Sequence, residues 1–132
     1  ATIDDFEAGN LVIGVQRSCS ADQWMADEFG QEKYDQMVKD GKIKLYDSFP
    51  QSMVALEQGL VECVIFDDVN IETYIKGNDA FQMIGVIKTG DAYAIAMRNE
   101  DTDLHALINE GLAELMASEK WEELKLKYIV TE

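Results

Sequence analysis

Apolar and polar residues along the first half of the chain follow a pattern typical of strands that alternate with helices. Short apolar or alternating runs at 11–15, 42–46 and 60–66 predict three strands. After each run, apolar residues recur at helical spacing. Because parallel strands need a crossover between them, this alternation predicts an α/β layered fold whose core strands are parallel.

The rest of the chain holds two further apolar runs and then a helical region. Residues 81–87 and 92–98 predict a fourth and a fifth strand, and two amphipathic helices are predicted from Asp101 onward. The sequence thus predicts an α/β fold: a single lobe with a mixed, mainly parallel five-stranded sheet flanked by helices, followed by a C-terminal helix pair. In this prediction residues 1–98 form the α/β lobe and residues 99–132 form the helical segment.

The turn after the first predicted strand is a candidate anion site. Ser18, Cys19 and Ser20 stand where a strand passes into a helix, and the first turn of a helix has unpaired N–H groups and partial positive charge. No phosphate-binding lysine or GxGxxG pattern follows, so a small carboxylate is favoured over a nucleotide phosphate. The alternative is that Ser20 simply caps the helix.

Two carboxylates follow the third predicted strand. Asp67 and Asp68 come directly after its apolar run, and ligands of parallel sheets bind beyond the carboxyl ends of the strands. If the first and third strands are neighbours, amides that favour an anion lie near a carboxylate that favours a cation, which suits a zwitterion. The competing interpretation is that one of the two aspartates is only an N-cap.

The composition limits the possible partners and chemistry. The formal net charge of −15 opposes binding to nucleic acid or to an anionic membrane surface. Two cysteines and one histidine give no metal-ligand spacing, so neither a metal nor another cofactor is predicted. Cys63 lies in an apolar run and is predicted to be a core residue. A catalytic thiol at Cys19 is disfavoured because no histidine lies nearby to act as a base.

Three stretches carry a resemblance to a known family. They read IGVQRSCSADQW, YDSFPQSMVALEQGLVECVIFD and AYAIAMRNEDTDLHALINEGLAELMASEKWEELKLKYI. In this order they resemble the second lobe and the C-terminal helices of the amino-acid-binding proteins of ABC importers. That family folds as two α/β lobes that close on an amino acid, so the resemblance implies that residues 1–98 are the ligand-binding second lobe and that a first lobe is missing.

The resemblance also implies roles for four residues. Ser18, Cys19 and Ser20 occupy the family's turn for the ligand α-carboxylate, with Cys19 in place of the usual threonine. Asp67 matches the acidic residue that holds the α-amino group. The arginine and the aromatic residues that the family's first lobe supplies have no counterpart here.

The implied partners are an amino acid, and either the missing first lobe or the membrane subunits of a transporter. The C-terminal helices pack on the first lobe in the family, so we expect their leucine stripe to fold back or to pair in a homodimer. In the first of these helices the stripe consists of Leu104, Leu107, Ile108, Leu112, Leu115 and Met116. The implied location is periplasmic or extracellular, as a processed or trimmed chain. No enzyme activity is predicted.

Three alternatives to a transporter component remain open at this stage. One is a sensor module of a receptor with the same fold. Another is a single lobe that works as an interaction module through its helical face. The most distant is an enzyme similar to cyclohexadienyl dehydratases, for which Glu62, Asp67 and Cys19 are the candidate acid groups.

Overall fold

The computed structural model describes residues 1–129, which divide between two compact units, Ala1–Val86 and the part from Ile87 onward. Unit 1 contains, in order, α1 (Ile3–Glu7), β1 (Ile13–Gln16), α2 (Ser20–Phe29), α3 (Gln31–Lys39), β2 (Ile43–Tyr46), α4 (Phe49–Glu57), β3 (Cys63–Ile65) and α5 (Asp68–Ile75). Unit 2 contains α6 (Thr102–Met116) and α7 (Glu119–Tyr128).

The sheet of unit 1 has three parallel strands in the order β2-β1-β3. In the central strand, Ile13 is in register with Ile43 on one side and with Cys63 on the other. Helices connect successive strands, as parallel pairing requires. The carboxyl ends of β1 and β3 therefore lie side by side at one edge of the sheet.

The prediction of a five-stranded sheet is wrong. Within residues 1–129 the structure has three strands, and neither 81–87 nor 92–98 forms one. An apolar run indicates that its side chains favour burial, but a strand also needs a neighbour to accept its hydrogen bonds. The run at 81–87 instead lies against α1 in unit 1, since a Cβ added at Gly85 would be 3.0 Å from the Cδ1 of Ile3. Farther along, Tyr93 and Ile95 remain 76% and 57% exposed.

The core of unit 1 is built from side chains of the sheet and of the helices packed on it. Ile13 and Val15 of β1 are fully buried, and so is Met25 of α2. Helix α4 contacts all three strands. Its N-terminus is held by β1, because the Phe49 N–H donates to the Gln16 Oε1 at 2.9 Å. These contacts fix the carboxyl end of β1, where the candidate site begins.

The two helices of unit 2 contact each other but contain no buried residue. On the predicted stripe of α6, Leu112 and Leu115 are half-buried, whereas Leu107 is 66% exposed. Both predicted helices are therefore present, but no residue of their stripe is buried.

Candidate ligand-binding site

The turn that leaves β1 has an unusual backbone conformation. The Arg17 N–H donates to the Tyr46 carbonyl at 2.8 Å and so continues the β1–β2 pairing by one residue. Ser18 then adopts a φ of 59°, and among residues 1–129 it is the one non-glycine residue with a positive φ. Residues other than glycine rarely occupy this left-handed region because the Cβ crowds the following carbonyl oxygen. The chain reverses at Ser18 and enters α2 two residues later.

The buried carboxylate of Asp22, in the first turn of α2, stabilises the backbone conformation at Ser18. The Ser18 N–H donates to the Asp22 Oδ2 at 2.7 Å, and the Tyr34 hydroxyl of α3 donates to the Asp22 Oδ1. Asp22 is 9% exposed, so both bonds lie largely out of water. Burial raises the pKa of Tyr34 well above its usual range, and the hydrogen bond to Asp22 raises it further. Tyr34 thus stays protonated and serves as a donor to Asp22.

The N-terminus of α2 is left without a side-chain cap. Cys19 occupies the N-cap position in an extended conformation, and its side chain makes no capping hydrogen bond. Ser20 is the first helical residue, so the interpretation that Ser20 caps the helix is wrong. The amides of an uncapped first turn face away from the helix and can bind an anion.

The Ser20 side chain points instead toward β3 and α5. Its hydroxyl donates to the Asp67 Oδ1 at 3.3 Å, and the Asn70 Nδ2 donates to the Asp67 Oδ2 at 3.4 Å. Asp67 stands at the N-cap position of α5, but its side chain makes no capping bond. Asp68 has a local role, because its Oδ1 accepts the Val69 N–H at 2.7 Å. Asp67 is therefore the member of the pair that faces the turn after β1.

Cys19 and the neighbouring Arg17 have weaker contacts. Cys19 carries a free, half-buried thiol. Arg17 is exposed, and its Nε lies 3.9 Å from an oxygen of the exposed Asp47. An ion pair of that length at the surface contributes little.

Of the three candidate acid groups for an enzyme, Asp67 and Cys19 lie at the same end of the sheet and Glu62 does not. Glu62 precedes β3 and lies at the opposite edge of the sheet from Asp67, where its Oε2 accepts the Val12 N–H at 2.7 Å. Cys63 is buried, and this burial, with Glu62 beside it, raises the pKa of the thiol to about 12. Residues 1–129 contain no cluster of three potential metal ligands.

Asp22, Tyr34 and Asn70 belong to this site but were not predicted from the sequence. A signal for Asp22 exists, since it shares the spacing of Ala26 and Phe29 on the buried side of α2 and is the acidic member of that set. Tyr34 is a buried residue of α3, and a buried tyrosine hydroxyl needs a hydrogen-bond partner. Nothing in the sequence pairs the two residues.

The comparisons with known proteins give one partial likeness. No family model matches the chain, and no solved structure matches it. Over 94 residues, 69% of this chain, it is 29% identical to a protein of Neisseria gonorrhoeae described as a probable histidine-binding protein. The chain covers 35% of the length of that relative. Among the described residues, no helix has both the length and the apolar character needed to cross a membrane. The chain is similar to part of a protein named for binding an amino acid.

Proposed function

We propose that this chain is a solute-binding protein of amino-acid transport that holds its ligand without chemical change. The ligand carboxylate lies on the first-turn amides of α2, within the Ser18, Cys19 and Ser20 turn. The ligand amino group lies on Asp67. The observation that carries the proposal is the 3.3 Å hydrogen bond from the Ser20 hydroxyl to the Asp67 Oδ1.

That bond supports a zwitterionic ligand because it brings a group that favours negative charge and a group that favours positive charge close enough for one small ligand to contact both. The amides and dipole of α2 favour a negative group, and the Asp67 carboxylate favours a positive one. Both come from the carboxyl ends of neighbouring parallel strands, where ligands of such sheets bind. A ligand with only one of the two charges would leave the other half of the site without its partner.

Each half of the site has a definite set of donors or acceptors. The Ser18 N–H is already bonded to Asp22, so the carboxylate relies on the amides that follow it at the start of α2. Asp67 accepts two long hydrogen bonds, at 3.3 and 3.4 Å, from neutral donors. An ammonium group would replace or share these with shorter, charge-assisted bonds.

The likeness to a protein described as histidine-binding supports an amino acid as the ligand class. We further propose that the chain acts as part of the binding component of an ABC importer, in the periplasm or outside the cell. Its partners there are the membrane subunits and a first lobe that contacts the outer side of the ligand. This part of the proposal rests on the resemblance described above.

Binding is favoured over catalysis by the distribution of acid groups. A general acid must lie within hydrogen-bond reach of the reacting atom. Of the candidate acid groups, Glu62 lies at the opposite edge of the sheet, and Cys19 is a half-buried thiol at the N-cap position of α2. The Asp22 carboxylate is engaged by Ser18 and Tyr34, which leaves Asp67 as the carboxylate available to hold an ammonium group.

The proposal is tested by amide NMR titration of the ¹⁵N-labelled chain with histidine and a panel of other amino acids at millimolar concentration. Histamine, which lacks the carboxylate, and imidazolepropionate, which lacks the amine, are the matched control ligands. We expect shifts confined to residues 18–21 and 67–70 with amino acids, and much weaker binding of both controls. Histamine binding as tightly as histidine, shifts confined to other residues, or no shifts with any amino acid would each contradict the proposal.

A further inference from the structure

We propose that Asp22 is a positioning residue of the amino-acid site. Its hydrogen bond from the Ser18 N–H holds Ser18 in the left-handed conformation and thereby fixes the position of the amides that receive the ligand carboxylate. Tyr34 holds Asp22 in turn from α3. This inference rests on the proposed function, since it assigns a role within that site. Neither residue needs to touch the ligand.

The geometry places Asp22 between two donors that come from different elements. One carboxylate oxygen accepts the Ser18 N–H from the turn, and the other accepts the Tyr34 hydroxyl from α3. Ser18 and Tyr34 lie 4 and 12 residues from Asp22 along the chain, so the carboxylate links a local turn to a separate helix. Because both oxygens of Asp22 accept hydrogen bonds and the residue is 9% exposed, its carboxylate is held in one orientation.

The conformation of Ser18 explains why such a link is needed. A serine at a φ of 59° is in a region that non-glycine residues occupy at a cost, so the turn would relax if nothing held it. The bond from the Ser18 N–H to a buried, charged acceptor opposes that relaxation. Relaxation of Ser18 would move Cys19 and Ser20, which directly follow it and form the candidate anion site.

The role of Asp22 also explains which amides remain for a ligand. A buried negative charge beneath the turn repels a ligand carboxylate unless donors stand between them. Because Asp22 takes the Ser18 N–H, a ligand carboxylate would bind the first-turn amides of α2, which the Cys19 side chain does not cap. Asp22 thus works through Ser18 and not by contact.

Three variants of the full chain test this inference. Asp22→Ala removes both bonds and should weaken histidine binding about tenfold or more, the usual effect of losing a hydrogen bond to a charged group. Asp22→Asn keeps an acceptor for the Ser18 N–H and should recover part of the affinity. Tyr34→Phe removes one donor to Asp22 and should lie between Asp22→Ala and the wild type.

A double variant separates positioning from general stability. Glycine adopts a positive φ without strain, so Ser18→Gly should reduce the need for Asp22. We therefore expect Asp22→Ala to weaken histidine binding by a smaller factor in the Ser18→Gly background than in the wild type. The matched control is Asp27→Ala, which removes an exposed carboxylate of the same helix that accepts a bond from Gln23. It should leave histidine affinity unchanged.

Hydrogen exchange at the amide of residue 18 provides a readout that does not depend on ligand. It should speed up in Asp22→Ala and to a smaller degree in Tyr34→Phe. Equal histidine affinity of wild type and Asp22→Ala, unchanged exchange at residue 18, or the same loss in both backgrounds would overturn the inference while the proposed function stands. If the wild type binds no amino acid, the proposed function fails and this inference fails with it.

Discussion

The helices of the two units have similar amphipathic patterns but very different burial. In unit 1, α2 buries Met25 completely and α4 leaves Met53 2% exposed. In unit 2, neither α6 nor α7 buries any residue, and Leu107 and Leu126 are 66% and 75% exposed. An apolar stripe therefore predicts a helix in both units, but among the described residues it is buried in the helices of unit 1 and not in those of unit 2.

The strands repeat the same contrast. The run that became β1 has a partner on each side, and its neighbours reach it through helical crossovers. The runs at 81–87 and 92–98 are also mainly apolar, but within the described residues they pair with no strand. Apolar character decides that a segment favours burial, and pairing decides whether it becomes a strand.

The largest effect that we expect from this contrast is a difference in the loss of stability between two alanine substitutions of apolar residues, one in each unit. Ile13→Ala removes a fully buried side chain and should lower the stability of unit 1 by about 2–5 kcal/mol. Leu107→Ala removes a side chain that is 66% exposed and should change the stability of unit 2 by less than about 0.5 kcal/mol. Urea unfolding measures both values.

Each unit can be followed by its own tryptophan in that experiment. Trp24 lies in α2, where it stacks on Phe6 at 6.3 Å, and Trp121 lies in α7. Trp24→Phe and Trp121→Phe give two single-tryptophan backgrounds in which fluorescence reports one unit at a time. A loss for Leu107→Ala as large as that for Ile13→Ala would show that the α6 stripe is covered in solution.

A smaller effect concerns the alkaline stability of unit 1. The pKa values of both Cys63 and Tyr34 are raised in the folded state, Cys63 from 9.0 to about 12. The folded chain therefore keeps protons that the unfolded chain releases, and this contribution is complete below about pH 9 and is lost as the pH rises toward 12. Unit 1 should lose stability from pH 9 upward.

Cys63→Ala tests that dependence, because it removes the thiol that titrates first. The free energy of unfolding of Cys63→Ala should fall less steeply between pH 9 and 11 than that of the wild type, whatever the two values are at pH 7. Urea unfolding followed by Trp24 fluorescence gives the two slopes. Equal slopes in both proteins would contradict the assignment to Cys63.

The sequence predicted the part of the site that depends on local order along the chain. Ser20 and Asp67 each follow an apolar strand, and parallel pairing of β1 with β3 brings their side chains into contact. That they bind a ligand stays a prediction. Asp22 was not predicted as a site residue, because its role depends on the packing of α3 against α2. The extra strands were predicted in error because a run of apolar residues does not specify a pairing partner.

The central claim is that Asp67 receives the amino group of an amino acid, and the most direct test compares two adjacent carboxylates. Asp67 accepts from Ser20 across the site, whereas Asp68 accepts its neighbour's N–H at the start of α5. Asp67→Asn removes the charge that would hold an ammonium group and should weaken histidine binding by about 1.5–3 kcal/mol. Asp68→Asn should change it by less than about 0.5 kcal/mol. NMR titration gives both affinities, and equal losses in the two variants would contradict the claim.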